Sequence, residues 1–190
     1  VNLLVLGPQG AGKGTQAKRI SGEYGIPHIA TGDMFRAAIA AGTPLGKQVQ
    51  PLLDSGTLVP DEVTIALIEE RLGEPDAADG FVLDGFPRNL AQAEALDSML
   101  GGIGRGLDAI LFFDVPDRVG TERALSRARI EGRTDDTPEV IAKRLATYHS
   151  ETEPIVEHYR ATGKLVPLHA ERSIDEVWAE ISDALQAVAA

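Results

Sequence analysis

The 190-residue sequence contains no cysteine, a single tryptophan and only 5% aromatic residues. Without cysteine there is no disulfide framework, no thiolate metal site and no sulfur nucleophile. No apolar run approaches the ~18 residues that a membrane span requires. The opening Val1-Asn2-Leu3-Leu4-Val5-Leu6 has neither the basic lead nor the length of a secretory signal, so a cytoplasmic location with no membrane partner is expected. Positive charge is scarce too. Eighteen Lys+Arg against 29 Asp+Glu leave a formal net charge of −11. Such a surface repels nucleic-acid phosphates over most of its area, so no nucleic-acid partner is expected.

What is present is globular: 43% hydrophobic and 25% charged residues, in a length that suits one domain spanning 1–190. Short apolar runs alternate with longer helical patterns, the signature of βαβ units and a parallel sheet. Five strands are expected at Asn2–Leu6, Pro27–Ile29, Phe81–Leu83, Ala109–Phe113 and Lys164–Leu168. Pro167 cannot donate to a ladder, which places the last strand at a sheet edge. Helical patterns fall at 13–24, 33–41, 44–54, 61–72, 89–100, 116–128, 137–160 and 173–188, with Pro154 expected to kink or interrupt the seventh. In the last, Ser173 and Glu176 have capping-box spacing, and the stripe including Trp178 reads as core. Residues 30–60 break the alternation with two short helical patterns and read as a small helical insert.

The strongest local signal follows the first strand. Gly7, Gly12 and Lys13 fit the P-loop spacing G-x-x-x-x-G-K, with Gly14 and then Thr15 where Ser or Thr is usual. The glycines let backbone N–H groups converge on an anion without Cβ obstruction, and the helix N-terminus and Lys13 add positive charge. The fold class implied is α/β, a P-loop NTPase core, and the ligand a nucleoside triphosphate with Mg²⁺. A guanine-selective switch needs an N-K-x-D segment. The only two asparagines, Asn2 and Asn89, are each followed by Leu, so no such segment exists.

Arginine outnumbers lysine 13 to 5, and six arginines (118, 123, 127, 129, 133, 144) fall within 27 residues. Arg suits bidentate grip of phosphate. The segment also holds Glu122, Glu131, Asp135, Asp136 and Glu139, so a salt-bridged surface is an equally good reading of the cluster alone.

Asp84-Gly85-Phe86-Pro87-Arg88, taken with Gly-Ala-Gly-Lys-Gly-Thr at 10–15 and Thr31-Gly32-Asp33-Met34-Phe35-Arg36, resembles the adenylate kinases along essentially the whole chain. The resemblance implies transfer from MgATP to AMP giving two ADP. It also implies a five-stranded parallel sheet flanked by helices, and two flaps: an AMP-binding insert at 30–60 and a lid reduced to a short loop at 127–137. Only five residues separate Arg127 from Arg133, where long-form members insert a folded lid. Without cysteine, the zinc site of some long lids is not expected. By resemblance ATP meets Gly10, Ala11, Gly12, Lys13, Gly14, Thr15, Arg123, Arg127 and the backbone of Arg172. AMP meets Thr31, Arg36, the backbone at Thr57, Leu58 and Val59 and at Gly85, Phe86 and Pro87, then Arg88, Gln92, Arg133 and Arg144. Lys13, Arg88, Arg123, Arg127, Arg133 and Arg144 are the implied catalytic set. Mg²⁺ is expected at Thr15 and Asp84, in part through waters.

Asp135 and Asp136 are read either as orienting these arginines or, for Asp136 with Glu139, as a helix cap. The four histidines (28, 149, 158, 169) lie outside the three motifs and read as surface or packing residues. Tyr24, Phe35 and Phe86 read as packing. A monomer is expected, with ATP, AMP and ADP as its partners. Rival readings are a UMP/CMP-type kinase on the same scaffold, a non-catalytic nucleotide sensor, and a P-loop hydrolase indifferent to AMP.

Overall fold

A computed structural model describes residues 1–190. Five strands, β1 (Asn2–Leu6), β2 (His28–Ala30), β3 (Phe81–Asp84), β4 (Ala109–Asp114) and β5 (Leu165–His169), form one sheet in the order β2-β3-β1-β4-β5. Every neighbouring pair is parallel. Period-2 alternation divides the side chains of β1 between two cores. Leu4 and Leu6 join Leu83, Phe81 and Ile110 on one face, whereas Leu3 and Val5 join Val82, Leu111 and Phe113 on the other. Both faces are covered, which is why β1 and β4 read as continuous apolar runs.

The first core is closed by helices α4 (Asp61–Leu72), α5 (Leu90–Gly102) and α8 (Pro154–Arg160), and the second by α1 (Lys13–Tyr24) and α9 (Ile174–Ala189). The capping box of α9 is formed, with Ser173 as N-cap and Glu176 reaching back. β5 lies at the edge, as Pro167 requires. Lys164 accepts from Ile110 N and Ala170 donates to Asp114 O, so even-numbered positions face β4 and the nitrogen of Pro167 points away from the ladder.

The insert is two helices, α2 (Thr31–Ala41) and α3 (Pro44–Ser55), joined by a turn at Gly42-Thr43. Their apolar faces enclose a separate small core of Phe35, Val49 and Val59, on which Ile39, Leu52, Val63 and Leu67 pack.

Three segments differ from the sequence reading. Helix α6 runs Asp117–Glu131, three residues beyond the expected end, and stops where Gly132 turns left-handed (φ 64°). Its connection to α7 (Pro138–Thr147) is therefore only 132–137. Helix α7 is capped by the Thr137 hydroxyl, which accepts from Val140 N, so Asp136 is not the cap. The helical pattern over 137–160 is interrupted before Pro154, as expected, but by a wide π-type turn over Tyr148–Thr152 that separates α7 from α8. Pro154 has no N–H to give the preceding turn, and the backbone accommodates it by widening that turn. The widening turns Tyr148 and Thr152 inward, where both are buried.

Candidate active site

The carboxyl ends of β1 and β3 open into a cavity of about 770 Å³. β1 passes to the phosphate loop and α1 on one side, while β3 passes to Gly85–Arg88 and the insert lies opposite. In open α/β sheets ligands bind at this edge.

The loop geometry requires glycine at two positions. Gly12, the N-cap of α1, has φ 94° with open space before it. Gly10 has φ 81°, and a Cβ there would lie 1.9 Å from the carbonyl oxygen of Gly120, where α6 presses on the loop. Lys13 folds its ammonium back to donate to the carbonyls of Gly7 (2.7 Å) and Pro8 (3.3 Å). Burial lowers its pKa to about 8. Arg88 and Arg127 add to that lowering, while Asp84 opposes it.

Asp84 ends β3 facing Lys13. Burial acts to raise its pKa, but the hydrogen bond from His28 and the charges of Lys13 and Arg88 prevail and hold it below the usual carboxylate value. His28 Nε2 lies 3.2 Å from Asp84 Oδ2. His28 is thus neither a surface nor a packing residue. It lines the cavity and contacts its one acidic strand end. The other three histidines pair with surface acids: His149 with Asp117 and Glu153, His158 with Asp97, His169 with Glu180.

The arginines converge from four separate elements on two adjacent carboxylates. Asp135 Oδ2 accepts from Arg36 Nη2 of α2 and Arg144 Nη2 of α7, each at 3.1 Å. Asp136, its side chain fully buried, accepts from Arg144 Nη1 and from Gln9 Nε2 (2.9 Å), with Arg127 and Arg133 at 3.6 and 3.7 Å. The orienting role of the acidic pair, and not helix capping, is the one the geometry supports. Arg88 donates Nε to Gly85 O (2.7 Å), while Thr152 Oγ1 donates to the Arg88 carbonyl (2.6 Å). Its pKa is lowered, first by burial and then by Arg144, against Asp84. Arg127 is lowered likewise, by burial and Arg133. Arg36 Nε and Arg127 Nε are buried donors with no partner. A cluster of repelling guanidiniums with unspent donors is a site prepared for an anion.

The cavity is lined by Gly10 through Thr15, Thr31, Arg36, Thr57, Leu58, Val59, Asp84, Gly85, Pro87, Arg88, Gln92, Arg123, Arg127, Arg133 and Arg144. Two expected contributors do not line it. Phe86 is fully buried in the core. The Arg172 side chain pairs with Glu180 at 2.9 Å. Its carbonyl faces Arg123, which also donates to the carbonyls of Ala170 (2.7 Å) and Glu171 (3.0 Å). Arg129 is exposed and does not line the cavity, and Arg118 and Arg160 form exposed pairs with Glu122 and Glu157.

An adenylate kinase family profile matches residues 5–164. The chain is 48% identical over 185 residues to "Adenylate kinase" of Xanthomonas euvesicatoria pv. vesicatoria, covering 97% of this chain and 99% of that protein. It is 52% identical over 179 residues to the protein of that name from Cyanothece sp. (94% and 92% covered), and 47% over 187 residues to that from Stenotrophomonas maltophilia K279a (98% and 100%). The chain belongs to the adenylate kinase family. It is a phosphotransferase.

Around the cavity, sequence reasoning missed His28, Gln9, Thr152 and Lys143, whose Nζ donates to Thr57 Oγ1 at 3.0 Å. Gln9 stands at a variable position of the P-loop, which is a signal of place but not of role. The others lie tens of residues from the groups they meet and carry no local signature. No helix is long and apolar enough to cross a membrane.

Proposed function

We propose that the chain catalyses MgATP + AMP ⇌ MgADP + ADP by direct in-line transfer, with ATP on the phosphate loop and AMP between the insert and Arg88. The observation that carries this reading is the convergence of Arg36, Arg88, Arg127, Arg133 and Arg144 on the space facing Lys13, within one cavity. A single triphosphate needs the loop and its lysine. A second clamp made of Arg36 and Arg88 implies a second phosphate, and two guanidiniums on a dianion select a nucleotide over a neutral acceptor.

The backbone N–H groups of 10–15 and Lys13 hold the β- and γ-phosphates at the N-terminus of α1. Arg36 and Arg88 hold the AMP phosphate, whose attacking oxygen is already anionic, so no strong general base is required. Arg123 covers the ATP adenine, and Arg127, Arg133 and Arg144 spread the charge of the loose transition state. In the free enzyme Asp135 and Asp136 keep these guanidiniums together against their own repulsion. Thr31 and Gln92 contact the adenine of AMP, with the backbone of 57–59 and 85–87 completing that pocket. Residues 30–60 act as the acceptor flap and 127–137 as the short lid, excluding water from the γ-phosphate.

The donor set at Thr15 and Asp84 fits Mg²⁺. The carboxylate is held ionised, the Thr15 hydroxyl is exposed, and a Cβ on the intervening Gly14 would lie 3.9 Å from Asp84 Oδ2. No three acidic or histidine side chains converge, so such an ion would take its remaining ligands from phosphate and water. When bound it would supply positive charge to the phosphates undergoing transfer. The enzyme acts as a monomer in the cytoplasm.

The test is phosphoryl transfer from ATP to AMP, UMP, CMP and GMP. AMP is expected to be preferred, with ADP as the only product. ATP turnover indifferent to AMP, or closure on ATP without ADP formation, would replace this reading with a hydrolase or a sensor.

A further inference from the structure

One polar triangle beside the cavity takes no part in holding phosphate. Asp61, in the first turn of α4, accepts on Oδ1 from Asn89 Nδ2 (2.9 Å) and from Gln92 Nε2 (3.0 Å). The other amide atom of Gln92, Oε1, accepts from the backbone N–H of Arg88 (2.8 Å). Gln92 is only 2% exposed, and its own backbone N–H is capped by Asn89 Oδ1 at 2.9 Å. Both neighbours of the carboxamide are chemically one-sided: a carboxylate only accepts, and a backbone N–H only donates. The amide therefore has one orientation, nitrogen toward Asp61 and oxygen toward Arg88. Each atom retains one further valence, an N–H and a lone pair. Gln92 lines the cavity, whereas Asp61 lies behind it.

Purine edges come in two polarities. Adenine presents an acceptor at N1 beside a donor on N6, and a 6-oxo purine presents a donor at N1 beside an acceptor at O6. A carboxamide reading both atoms matches one edge in one orientation and the other edge when flipped. We propose that Asp61 is a positioning residue that sets acceptor selectivity by locking the Gln92 carboxamide in the orientation that reads a 6-amino purine and rejects a 6-oxo purine. This rests on the reading that Gln92 meets the acceptor base. Arg88 N–H alone leaves the amide nitrogen without a buried acceptor and weakens the lock.

The experiment compares kcat/KM for AMP and for IMP in the parent, Gln92→Ala, Asp61→Ala, Asp61→Asn and Glu62→Ala, with Tm measured for each. A hydrogen bond to a charged group is worth roughly 10- to 100-fold. The AMP/IMP ratio in Asp61→Ala is therefore expected to fall about 10-fold or more, through a raised KM for AMP with kcat retained. Asp61→Asn keeps an oxygen acceptor and is expected to stay within about threefold of the parent ratio. Glu62→Ala removes the other first-turn acid of α4 without touching Gln92, and leaves the ratio unchanged. A ratio that survives Gln92→Ala refutes the placement of Gln92 at the base. A ratio that collapses in Gln92→Ala but stays within about threefold of the parent in Asp61→Ala refutes the positioning role alone. Should Asp61→Ala not fold, Asp61→Ser is read by the same two criteria.

Discussion

Raising the pH from 7 to 8.5 should convert ATP binding into a proton-consuming event. The group responsible is Lys13, whose burial under the phosphate loop lowers its pKa to about 8 in the free enzyme. At pH 8.5 only about a quarter of molecules carry the ammonium, while at pH 7 about nine-tenths do. A polyphosphate beside it restores the charged form, so binding takes up about 0.7 proton at pH 8.5 and about 0.1 at pH 7. ATP affinity accordingly falls as pH rises through 8. Calorimetric titration with MgATP in buffers of differing ionisation enthalpy measures the uptake directly. Lys13→Arg, charged throughout, should bind ATP without it. Uptake below about 0.2 proton at pH 8.5, or equal uptake by the Arg variant, refutes the reasoning.

The same shift acts on folding with a definite sign. The folded pKa lies below the unfolded 10.5, so between pH 8 and 10.5 the unfolded chain holds the proton that the folded chain lacks, and this group makes stability rise with pH. Below pH 8 its full cost is present, about 3 kcal/mol from a lowering of about 2.5 units. Lys13→Met removes that cost and forfeits two carbonyl hydrogen bonds of about 1 kcal/mol each. The two terms nearly cancel, so Lys13→Met is expected to move Tm by no more than about 2–4 °C while its activity falls.

Other perturbations separate the roles of the charged groups. Arg88→Ala or Lys13→Met should lower kcat by about 10²- to 10⁴-fold in a coupled ADP assay, and near-parent turnover in either variant contradicts the clamp. Asp136→Ala takes the buried counter-ion from Arg127 and Arg133 and leaves Arg144 with Asp135 alone, and should cost about 3–5 kcal/mol in urea unfolding, whereas Asp117→Ala at the surface should cost under about 1. Gly10→Ala forces a Cβ against the Gly120 carbonyl and should abolish ATP binding as α6 and the loop separate, which equilibrium dialysis would reveal. ATP hydrolysis without AMP should be low but measurable, because the connection at 132–137 seals less than a folded lid; a leak no larger than in a long-lid relative excludes this.

Elements whose cause is local were legible in advance. β1 and α1 coincide with the apolar run and the helix that the glycine loop separates, and Pro167 placed β5 at the edge through its missing N–H. The sequence reading ends α6 three residues early, because Arg129, Ile130 and Glu131 continue no apolar stripe; the helix stops only where Gly132 turns left-handed. The π-type turn at 148–152 was not legible, since Pro154 announces a disturbance without specifying whether the helix kinks, ends or widens. The arginines whose side chains are expected there from residue type and family spacing all line the cavity. What they hold in the absence of substrate could not be read: Asp136 meets Gln9 across 127 residues and His28 meets Asp84 across 56. Arg129 and Arg133 differ in no property of the side chain. Only the continuation of α6 to Glu131 sends one to solvent and returns the other to the site.

The three-residue core of the insert has a thermal consequence. Phe35, Val49 and Val59 supply about 5–9 kcal/mol of apolar burial, far less than the ordering entropy of the two helices they join. Those helices persist by leaning on Val63 and Leu67 of α4. Amide protons of α2 and α3 should exchange with deuterium well before those of β1 and β4. On warming, the half of the cavity that α2 and α3 wall should soften while the sheet is still intact, so catalysis fades below the melting temperature of the molecule.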